Sequence, residues 1–594
     1  MSPVFSPRKH AQYANSIVGA KHINAVVDSQ LEQPAAPAIA FIILALITAS
    51  ALSGIMVSLG PQHMEPVYGN VLPQVNFLHG VLISMVIGGL MALGFWRRIL
   101  AAATGPIISL IADVKTGHAL ATAFDATALL MAAAPLYSTY ILSWSGYLGP
   151  IWGPVLTHCV LSFPVFTLIG FAFAIAAARL FSGRALLLTK AALLLTCVLL
   201  ATIPAYFVLS QLPFQRSCAG LLGMTTLAGS CSLIIKLLNI CQRHTSPASA
   251  ARTSMSQFLL TILIVSVALA SLFGDNHCFV NGAIKTTGNY NMLSREESVT
   301  GWVIVSDDHK RDIRLLRSGH SIIGGQWKTT KQSIFGVFYY ADAVRMIHGA
   351  SRTDERALQI GLGAGISARS LHSQGVAVDV VEIDPAVHRA AEQFFDLPRN
   401  FNAVYLQDAR RFIETAPDAR YNYIVHDVFT GGSVPASLFS KEAIEQVHRI
   451  MLPSGVMAMN FVGVPSDERV MAHIVSTLRT SFKHVRCFGE FGTNGHRSKG
   501  KLMNSMVNMM FFASNEHIEF RIPRPSLISD GCISIRDTML MTMLGNEIAL
   551  DHLPSNARPL TDSWNPLAQW QVSTAIDHWH AMRKMLPGEY WLDY

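Results

Sequence analysis

Five stretches decide the fold of this chain: RALQIGLGAGIS (356–367), VDVVEIDPAV (378–387), YLQDARRF (405–412), YNYIVHDVFTGG (421–432) and LPSGVMAMNF (452–461). The first four begin with apolar runs of strand length, and each run leads to a glycine or an acidic residue. Strands that alternate with helical patterns are typical of a parallel sheet flanked by helices. The region therefore predicts an α/β domain of the Rossmann type, in which ligands bind at the carboxyl ends of the strands.

The residues after the first two strands predict a nucleotide-type cofactor site. Gly361, Gly363 and Gly365 follow the strand Ala357–Ile360, and glycines there let a ligand approach the backbone and the amide groups of the next helix. Glu382 ends the second strand, about 20 residues later, where an acid accepts hydrogen bonds from ribose hydroxyls.

Two more strand ends supply acids. Asp408 follows the strand Val404–Leu406, in position to meet an adenine amino group, and Asp427 follows the strand Tyr423–His426. Any one of these acids could instead cap the helix after it. Four consecutive strand ends that offer Gly, Glu, Asp and Asp nevertheless favour one cofactor site along the carboxyl edge of the sheet. We call this edge, with its glycines and acids, the cofactor edge.

The first 275 residues predict a membrane domain. The chain is only 14% charged, where about 25% is usual for a soluble protein, and its mean hydropathy is +0.35. A bilayer crossing needs about 20 mostly apolar residues. Seven candidate spans lie near 36–59, 74–96, 118–136, 155–178, 191–210, 217–240 and 256–274, and the apolar segment 99–113 leaves an eighth open. Asp125, inside the third span, is a functional candidate or a carboxylate held within the bundle.

The charges of the loops bear on sidedness. Lys and Arg occur before the first span and after the second, whereas the loop after the first span and residues 137–154 have none. The positive-inside rule places the N-terminus in the cytosol. Seven spans would then put the C-terminal half outside, but a nucleotide-type cofactor, few cysteines and the lack of glycosylation sequons favour inside. We expect a multi-pass membrane protein with a cytosolic cofactor domain.

Composition also excludes several classes of protein. The net charge of +7 comes from dispersed Lys and Arg, which argues against nucleic-acid binding. The eight cysteines include no CxxC pair, so neither a disulfide framework nor a zinc site is expected. No metal cofactor is predicted.

Beyond the strand pattern, three blocks resemble the spermidine synthase family: VHDVFTGG (425–432), ASLFS (436–440) and LPSGV (452–456). That family has a methyltransferase-type Rossmann fold preceded by a small β-domain. PLTDSWNP (559–566) is similar to the ending of members fused to transmembrane helices. The resemblance covers residues 297–515 and implies S-adenosylmethionine or its decarboxylated form as the cofactor.

The resemblance also implies roles for single residues. Gly361, Gly363 and Gly365 would line the sulfonium cofactor, and Glu382 would hold its ribose. Asp408 with Ala409 would hold the adenine. Asp427 matches the catalytic acid of the family, and Tyr340 is expected near the acceptor. A carboxylate at Asp427 can accept a proton and oppose the sulfonium charge.

Several positions depart from the polyamine-making members. Ala364 and Thr430 stand where those members have Asp, while Tyr340–Ala341 and Val299–Thr300 replace Tyr-Gln pairs. A polyamine is a multiply charged cation, and its site needs several carboxylates to offset desolvation. We therefore predict methyl transfer to a small, apolar or membrane-resident acceptor bearing an amine or hydroxyl. Aminopropyl transfer is the alternative, and a transport or scaffold protein with a degenerate cofactor domain is the third hypothesis.

The predicted fold is a multi-span α-helical membrane domain followed by an α/β Rossmann-like methyltransferase fold with a small N-terminal β-domain. The predicted boundaries are 1–34 polar tail, 35–275 transmembrane domain, 276–296 linker, 297–350 β-domain with a helix over 334–347, 351–575 cofactor domain and 576–594 tail. The expected partners are the small-molecule acceptor and the lipid bilayer, with a homodimer left open and no nucleic acid.

Overall fold

The structure is a computed structural model. It describes residues 36–102, 108–181, 195, 216–242, 259–267, 286–347, 354–429, 431–491, 500–521, 534–586 and 588–591, apart from residues 63, 70, 76, 261, 288 and 501. The predicted span 191–210 lies outside these ranges except for residue 195, and most of 256–274 and the replaced position Thr430 also lie outside them.

Within the described part of the N-terminal half, the chain is mostly helical. The helices are α1 (Ala36–Gln62), α2 (Glu65–Tyr68), α3 (Phe77–Ala102), α4 (Ile108–Ser143), α5 (Ser145–Leu161), α6 (Phe163–Phe181) and α7 (Arg216–Gln242). Four stretches of the described residues are long and apolar enough to cross a bilayer: Ile39–Gln62, Leu72–Phe95, Lys115–Ala134 and Phe163–Phe181.

The predicted fourth span, 155–178, overlaps two helices, α5 and α6, with Ser162 between them. Ser162 keeps helical backbone angles, and Phe166 N donates to its carbonyl oxygen at 3.0 Å. Pro164 lies in the first turn of α6, where a helix tolerates proline. Helix α5 kinks at Gly149, whose φ is 69°.

A buried ion pair joins α4 to α7. Lys236 Nζ lies 2.6 Å from Asp125 Oδ2, and Ser232 Oγ donates to Asp125 Oδ1 at 2.6 Å. Both charged side chains are less than a tenth exposed. Asp125, the acid inside the third predicted span, is thus paired with a lysine of the helix α7 and held within the bundle.

Two sheets build the C-terminal half. The first is antiparallel, with strands in sequential order: β1 (Thr286–Thr287), β2 (Tyr290–Ser298), β3 (Gly301–Asp308), β4 (Ile313–Ser318) and β5 (Ser321–Trp327). It begins before residue 297, within the predicted linker, because β2 pairs with β3 along its length. The helix predicted over 334–347 is a run of 3₁₀ turns, Gly336–Met346.

The second sheet has eight strands in the order β13-β11-β12-β10-β9-β6-β7-β8. The strands are β6 (Arg356–Ile360), β7 (Ala377–Glu382), β8 (Ala403–Leu406), β9 (Tyr421–His426), β10 (Met451–Gly463), β11 (His484–Gly489), β12 (Val507–Ser514) and β13 (Glu547–Ile548). Strands β6 to β10 run parallel to one another, as predicted. The pairs β10–β12, β12–β11 and β11–β13 are antiparallel.

Helices cover both faces of this sheet: α8 (Ile366–Ser373), α9 (Pro385–Phe394), α10 (Ala409–Thr415), α11 (Lys441–Ile450), α12 (Glu468–Arg479) and α13 (Ile535–Met543). The order of the strands reverses between β6 and β9, since β7 continues on one side of β6 and β9 lies on the other. The crevice at such a reversal is where α/β sheets bind ligands.

The C-terminal residues form two more helices, α14 (Leu567–Trp570) and α15 (Val572–Met585). The tail predicted from residue 576 thus belongs largely to a packed helix. Its apolar face, with Ala575 and Trp579 fully buried or nearly so, packs against the segment that joins α1 to α3. We name this segment, residues 64–69 and 71–75, the junction loop.

The two halves of the protein contact each other at the junction loop. Trp579 Nε1 donates to Val67 O at 2.9 Å, Arg583 donates to the same oxygen at 3.3 Å, and the Trp579 ring stacks on Tyr68. Helix α5 also contacts α15. The C-terminal half is therefore docked on the end of the bundle whose loops contain no Lys or Arg.

Candidate active site

A cavity of about 360 Å³ lies at the carboxyl ends of β6, β7 and β9. Its volume is within the range of small-molecule sites. Six of the eight predicted site residues line it: Gly361, Gly363, Glu382, Asp408, Ala409 and Asp427. The parallel sheet brings them together because each one ends a strand or begins the helix that follows.

The glycine turn allows the strands to approach one another closely. Gly361 has a φ of 78°, and a side chain there would collide with the carbonyl oxygen of Asp427 on the neighbouring strand end. Gly363 has a φ of 53°, and a Cβ would lie 2.7 Å from Ile323 O. Positive φ at both positions is a conformation that glycine adopts without strain.

Gly365, the third predicted glycine, lies outside the cavity wall. It is the N-cap of α8 with a φ of 73°, and it faces Leu397. It turns the chain into α8, while the two glycines before it line the cavity.

Glu382 is held by backbone amides. Leu362 N and Asp384 N each donate to one of its carboxylate oxygens at 2.8 Å. Burial raises the pKa of Glu382 to about 7, against the lowering effect of these donors. Each oxygen has a second lone pair, so the carboxylate can still accept hydrogen bonds from a ligand in the cavity.

The neighbouring acid, Asp384, uses both of its carboxylate oxygens within the protein and is not available to a ligand. It caps α9 by accepting from Ala386 N, and its other oxygen accepts from Thr300 N at 3.0 Å and Thr300 Oγ1 at 2.5 Å. This contact ties the turn between β2 and β3 to the large sheet. Thr300, at a position that departs from the polyamine-making pattern, thereby becomes part of the cavity wall.

Asp408 combines capping with exposure to the cavity. Its Oδ1 accepts from Arg410 N at 2.6 Å and from Arg411 N at 3.4 Å, which caps α10. Ala409 lies beside it in the cavity wall. The segment that resembles the ending of membrane-fused members supports this corner, because Asp562 forms an ion pair with Arg410 at 2.7 Å.

Asp427 has one described side-chain partner. Asn460 Nδ2, on β10, donates to Asp427 Oδ1 at 2.8 Å, and Asn460 Oδ1 has no hydrogen-bond partner among the described residues. Desolvation raises the pKa of Asp427 to about 6, although the carboxyl faces the cavity. A carboxylate with a pKa near neutrality is suited to accept a proton.

Tyr340, predicted near the acceptor, is not brought to the cavity. Its side chain is fully buried under the sheet, where Asn546 Nδ2 donates to its hydroxyl at 3.2 Å. Burial raises its pKa to about 12. The 3₁₀ turns of Gly336–Met346 rotate the residue into the core, whereas Phe335 and Phe338 on the same segment line the cavity.

Several other lining residues are aromatic or apolar. Phe335, Phe338, Phe429, Met506 and Met582, together with His578, form a set that we call the acceptor lobe. Burial lowers the pKa of His578 to about 4, so the ring is neutral at neutral pH. Ala364 does not line the cavity and is packed against Gly324 of β5.

Sequence reasoning missed Asn460, Thr300 and His578. Asn460 had a signal, since it ends the apolar run GVMAMN on the strand next to Asp427. Thr300 had a weaker signal, since Val299–Thr300 stands where the polyamine-making members have a Tyr-Gln pair. His578 had none, because it reaches the site from the C-terminal helix.

The sheet order, the glycine turn and the acidic strand ends define the C-terminal half as an α/β transferase of the methyltransferase type. The chain is 31% identical over 399 residues to an N-terminal histidine N-methyltransferase of Emericella nidulans, a match that covers 62% of this chain and 69% of that protein. The chain belongs to the spermidine synthase-like family of transferases.

Two further comparisons gave shorter or weaker matches. A polyamine aminopropyltransferase of Vibrio vulnificus is 30% identical over 159 residues, which cover 26% of this chain and 52% of that protein. Among solved structures, a probable spermidine synthase from Corynebacterium glutamicum is 20% identical with a TM-score of 0.34, over 40% of this chain and 82% of its own. No family model matches the chain.

Proposed function

We propose that the protein transfers a methyl group from S-adenosylmethionine to a ring nitrogen of an N-terminal histidine. The observation that carries this proposal is the chemistry of the acceptor lobe: aromatic and apolar side chains, one neutral histidine and a single neighbouring carboxylate, Asp427. The relative that is 31% identical is named an N-terminal histidine N-methyltransferase, and the choice of a ring nitrogen is our own proposal. Such a lobe suits a flat, uncharged ring.

The cofactor edge is proposed to hold the adenosyl part. The side chains present fit it: Glu382 has unused lone pairs for ribose hydroxyls, Asp408 has an unused oxygen for an amino group, and Gly361 and Gly363 leave the backbone open. When bound, the cofactor supplies an electrophilic methyl group on a positively charged sulfur.

The chemistry of the chain's own residues then follows. The acceptor lobe orients the ring so that its unprotonated nitrogen forms the new C–N bond while the C–S bond breaks and its electron pair stays on sulfur. Asp427 accepts a hydrogen bond from the other ring nitrogen and takes up its proton. Positioning supplies much of the acceleration of such a displacement, and the pKa of about 6 matches Asp427 to an imidazole near 6.5.

The test is methylation of a synthetic peptide that begins with histidine. Purified full-length protein with S-adenosylmethionine should add 14 Da to the histidine ring, as located by fragmentation. A peptide with histidine at its second position is the matched control. Transfer to neither peptide, under conditions in which the protein binds S-adenosylhomocysteine, would refute the proposed acceptor.

Aminopropyl transfer is the second candidate, because polyamine aminopropyltransferases are relatives. The cavity wall offers three carboxylates, Glu382, Asp408 and Asp427, and all three lie at the strand ends where the cofactor is proposed to bind. A polyamine would lack counter-charges in the acceptor lobe. Spermidine formed from decarboxylated S-adenosylmethionine and putrescine would overturn our choice.

We also propose that the helical half spans a bilayer. Helix α3 exposes a row of large apolar side chains, with Leu78, Leu82, Val86 and Leu90 each about three-fifths exposed. Such a surface is unusual in water. Trp144, Tyr147 and Trp152 are exposed near the end on which the transferase half is docked, as aromatic residues often are at a membrane interface.

The docking geometry changes the expected sidedness. The transferase half rests on the junction loop and α5, and the loops at this end contain no Lys or Arg. The positive-inside rule assigns such loops to the non-cytosolic face. We propose that the transferase half lies there, in place of the cytosolic location expected from its cofactor, so S-adenosylmethionine must be available on that face.

Labelling of single cysteines tests this orientation. In a background without native cysteines, Lys483→Cys on the transferase half should react with an impermeant maleimide in intact cells, or in sealed vesicles that keep the cellular orientation. Lys115→Cys, which is exposed at the start of the third crossing, should react only after permeabilisation. The reverse pattern would restore the cytosolic location.

A further inference from the structure

The membrane half contacts the loop that follows β9, next to the active site, through Gly69 of the junction loop. Gly69 has a φ of 80° and a ψ of 178°, and its N–H donates to Glu65 O at 2.8 Å. A Cβ at this position would lie 2.5 Å from Gly431 O and would collide with the ring of His320. The junction loop is therefore packed, backbone to backbone, against the loop that follows β9.

The loop after β9 carries Asp427 and Phe429. It also packs closely against helix α15. Gly432 has a φ of 90°, and a Cβ there would lie 2.7 Å from Ala575 Cα on α15. Val434 N donates to Gln571 Oε1 at 3.1 Å. The described part of this loop thus lies between the glycine turn at Gly361, helix α15 and the junction loop.

Helix α15 reaches the cavity and the junction loop with neighbouring side chains. Trp579 and Arg583 donate to Val67 O. His578 and Met582, each one position before them in the sequence, line the acceptor lobe. The His578 ring also contacts Phe429 and His320 edge-on, at 5.2 and 5.3 Å between ring centroids. A shift of α15 on the junction loop would move one wall of the lobe.

The acids of the cofactor edge are held differently. Glu382 and Asp408 accept from backbone amides of the turns and helices of the large sheet itself. The junction loop does not line the cavity, so it acts on the site through the loop after β9 and helix α15, and Glu382 and Asp408 do not depend on it.

We infer that the junction loop is a positioning element of the transferase site and that Gly69 is its positioning residue. It fixes the loop after β9 and helix α15 so that Asp427 and the acceptor lobe face the cofactor edge. The expected loss of turnover in a Gly69 variant rests on the proposed methyl transfer. The expected loosening of the loop after β9 and of helix α15 does not. On this account, the membrane half fixes the position of the acceptor lobe without lining the cavity itself.

The experiment compares Gly69→Ala with Gly146→Ala in the full-length protein. Gly146 is an exposed helical glycine in α5, near the same end of the bundle, and no atom lies within 4 Å of the Cβ that alanine would add. The dissociation constant for S-adenosylhomocysteine, the turnover with the histidine peptide and amide hydrogen exchange are measured for both. Trp579→Phe, which keeps a ring but removes the donor to Val67 O, replaces Gly69→Ala if that variant does not fold.

Gly69→Ala should bind S-adenosylhomocysteine within about twofold of wild type and lose about 10- to 100-fold in kcat/KM for the peptide, a range consistent with a misplacement of about 1 Å. Exchange should quicken in segments 421–434 and 572–585 and nowhere else in the transferase half, and Gly146→Ala should match wild type. Unchanged exchange in those segments, or faster exchange throughout the transferase half, overturns the inference.

The exchange comparison also separates this inference from the proposed function. If wild type does not methylate the peptide, the proposed acceptor is wrong. Local exchange in the two segments, measured with S-adenosylhomocysteine bound, still decides whether the junction loop positions the site.

Discussion

Replacement of Asp427 by asparagine should separate the activity of the site from the stability of the fold. The amide has the same shape as the carboxylate and can still accept from Asn460 Nδ2, which lies 2.8 Å from Asp427 Oδ1. The change removes the negative charge and the proton acceptor. General-base catalysis typically contributes about 10²- to 10⁴-fold, so we expect kcat for the histidine peptide to fall by that factor.

The stability of the Asp427→Asn variant should increase although its activity falls. Desolvation raises the pKa of Asp427 from 3.8 to about 6 in the folded protein, so at pH 7.5 ionisation of this group opposes folding. A shift of this size corresponds to at most about 3 kcal/mol, at about 1.4 kcal/mol per pKa unit. Because the carboxyl faces a cavity that water can enter, we expect Asp427→Asn to raise the free energy of unfolding by about 1–2 kcal/mol.

The assay is single-turnover methylation together with thermal unfolding in detergent, both at pH 7.5. Asn460→Ala serves as a comparison, because it removes the hydrogen bond to Asp427 and keeps the charge. Loss of activity accompanied by a lower unfolding temperature in Asp427→Asn would refute the reasoning, since the variant would then be inactive for structural reasons. Retained activity would refute the role of Asp427 as proton acceptor.

Three further predictions concern the cofactor edge, pH and the helical bundle. Glu382→Gln places an NH₂ group against a backbone donor and should weaken S-adenosylhomocysteine binding about 10-fold or more in calorimetry, whereas the exposed Glu445→Gln on α11 should not. The preference for S-adenosylmethionine over S-adenosylhomocysteine, whose sulfur carries no charge, should decline as pH falls from 7 to 5, because the Asp427 carboxylate is lost through its pKa of about 6. A constant ratio of the two dissociation constants would contradict this. Lys236→Met leaves Asp125 as an unpaired buried charge and should lower the free energy of unfolding by about 3–5 kcal/mol, with recovery in the double variant Asp125→Asn/Lys236→Met. Equal unfolding temperatures of wild type and the single variant would show that the pair contributes nothing.

The architecture of the large sheet was predictable because its signals are local. Each parallel strand is an apolar run followed by a turn, and such runs end at the same edge of the sheet. The structure confirms strands at Arg356–Ile360, Ala377–Glu382, Ala403–Leu406 and Tyr421–His426. The order of glycine and acidic residues along the chain therefore placed six of the predicted residues around one cavity.

Residues outside that sheet were less predictable. Tyr340 occupies a family position beside the acceptor, but the 3₁₀ turns that hold it differ in rotation from the expected helix, and the side chain enters the core. Likewise, nothing in the sequence around His578 distinguishes it from the neighbouring surface of an amphipathic helix. Its place in the cavity depends on where α15 packs.

The sequence by itself determined that the protein has two halves. It also determined which strand ends carry glycines and acids, including Asp427 at the end of β9. Both follow because hydrophobic periodicity and turn residues act over short distances along the chain. Only the tertiary structure decided which side chains complete the cavity. The contacts of Gly69 with Gly431, of Gly432 with Ala575 and of Trp579 with Val67 join segments separated by as many as 512 residues. Such contacts depend on the packing of whole elements, and no local pattern encodes them.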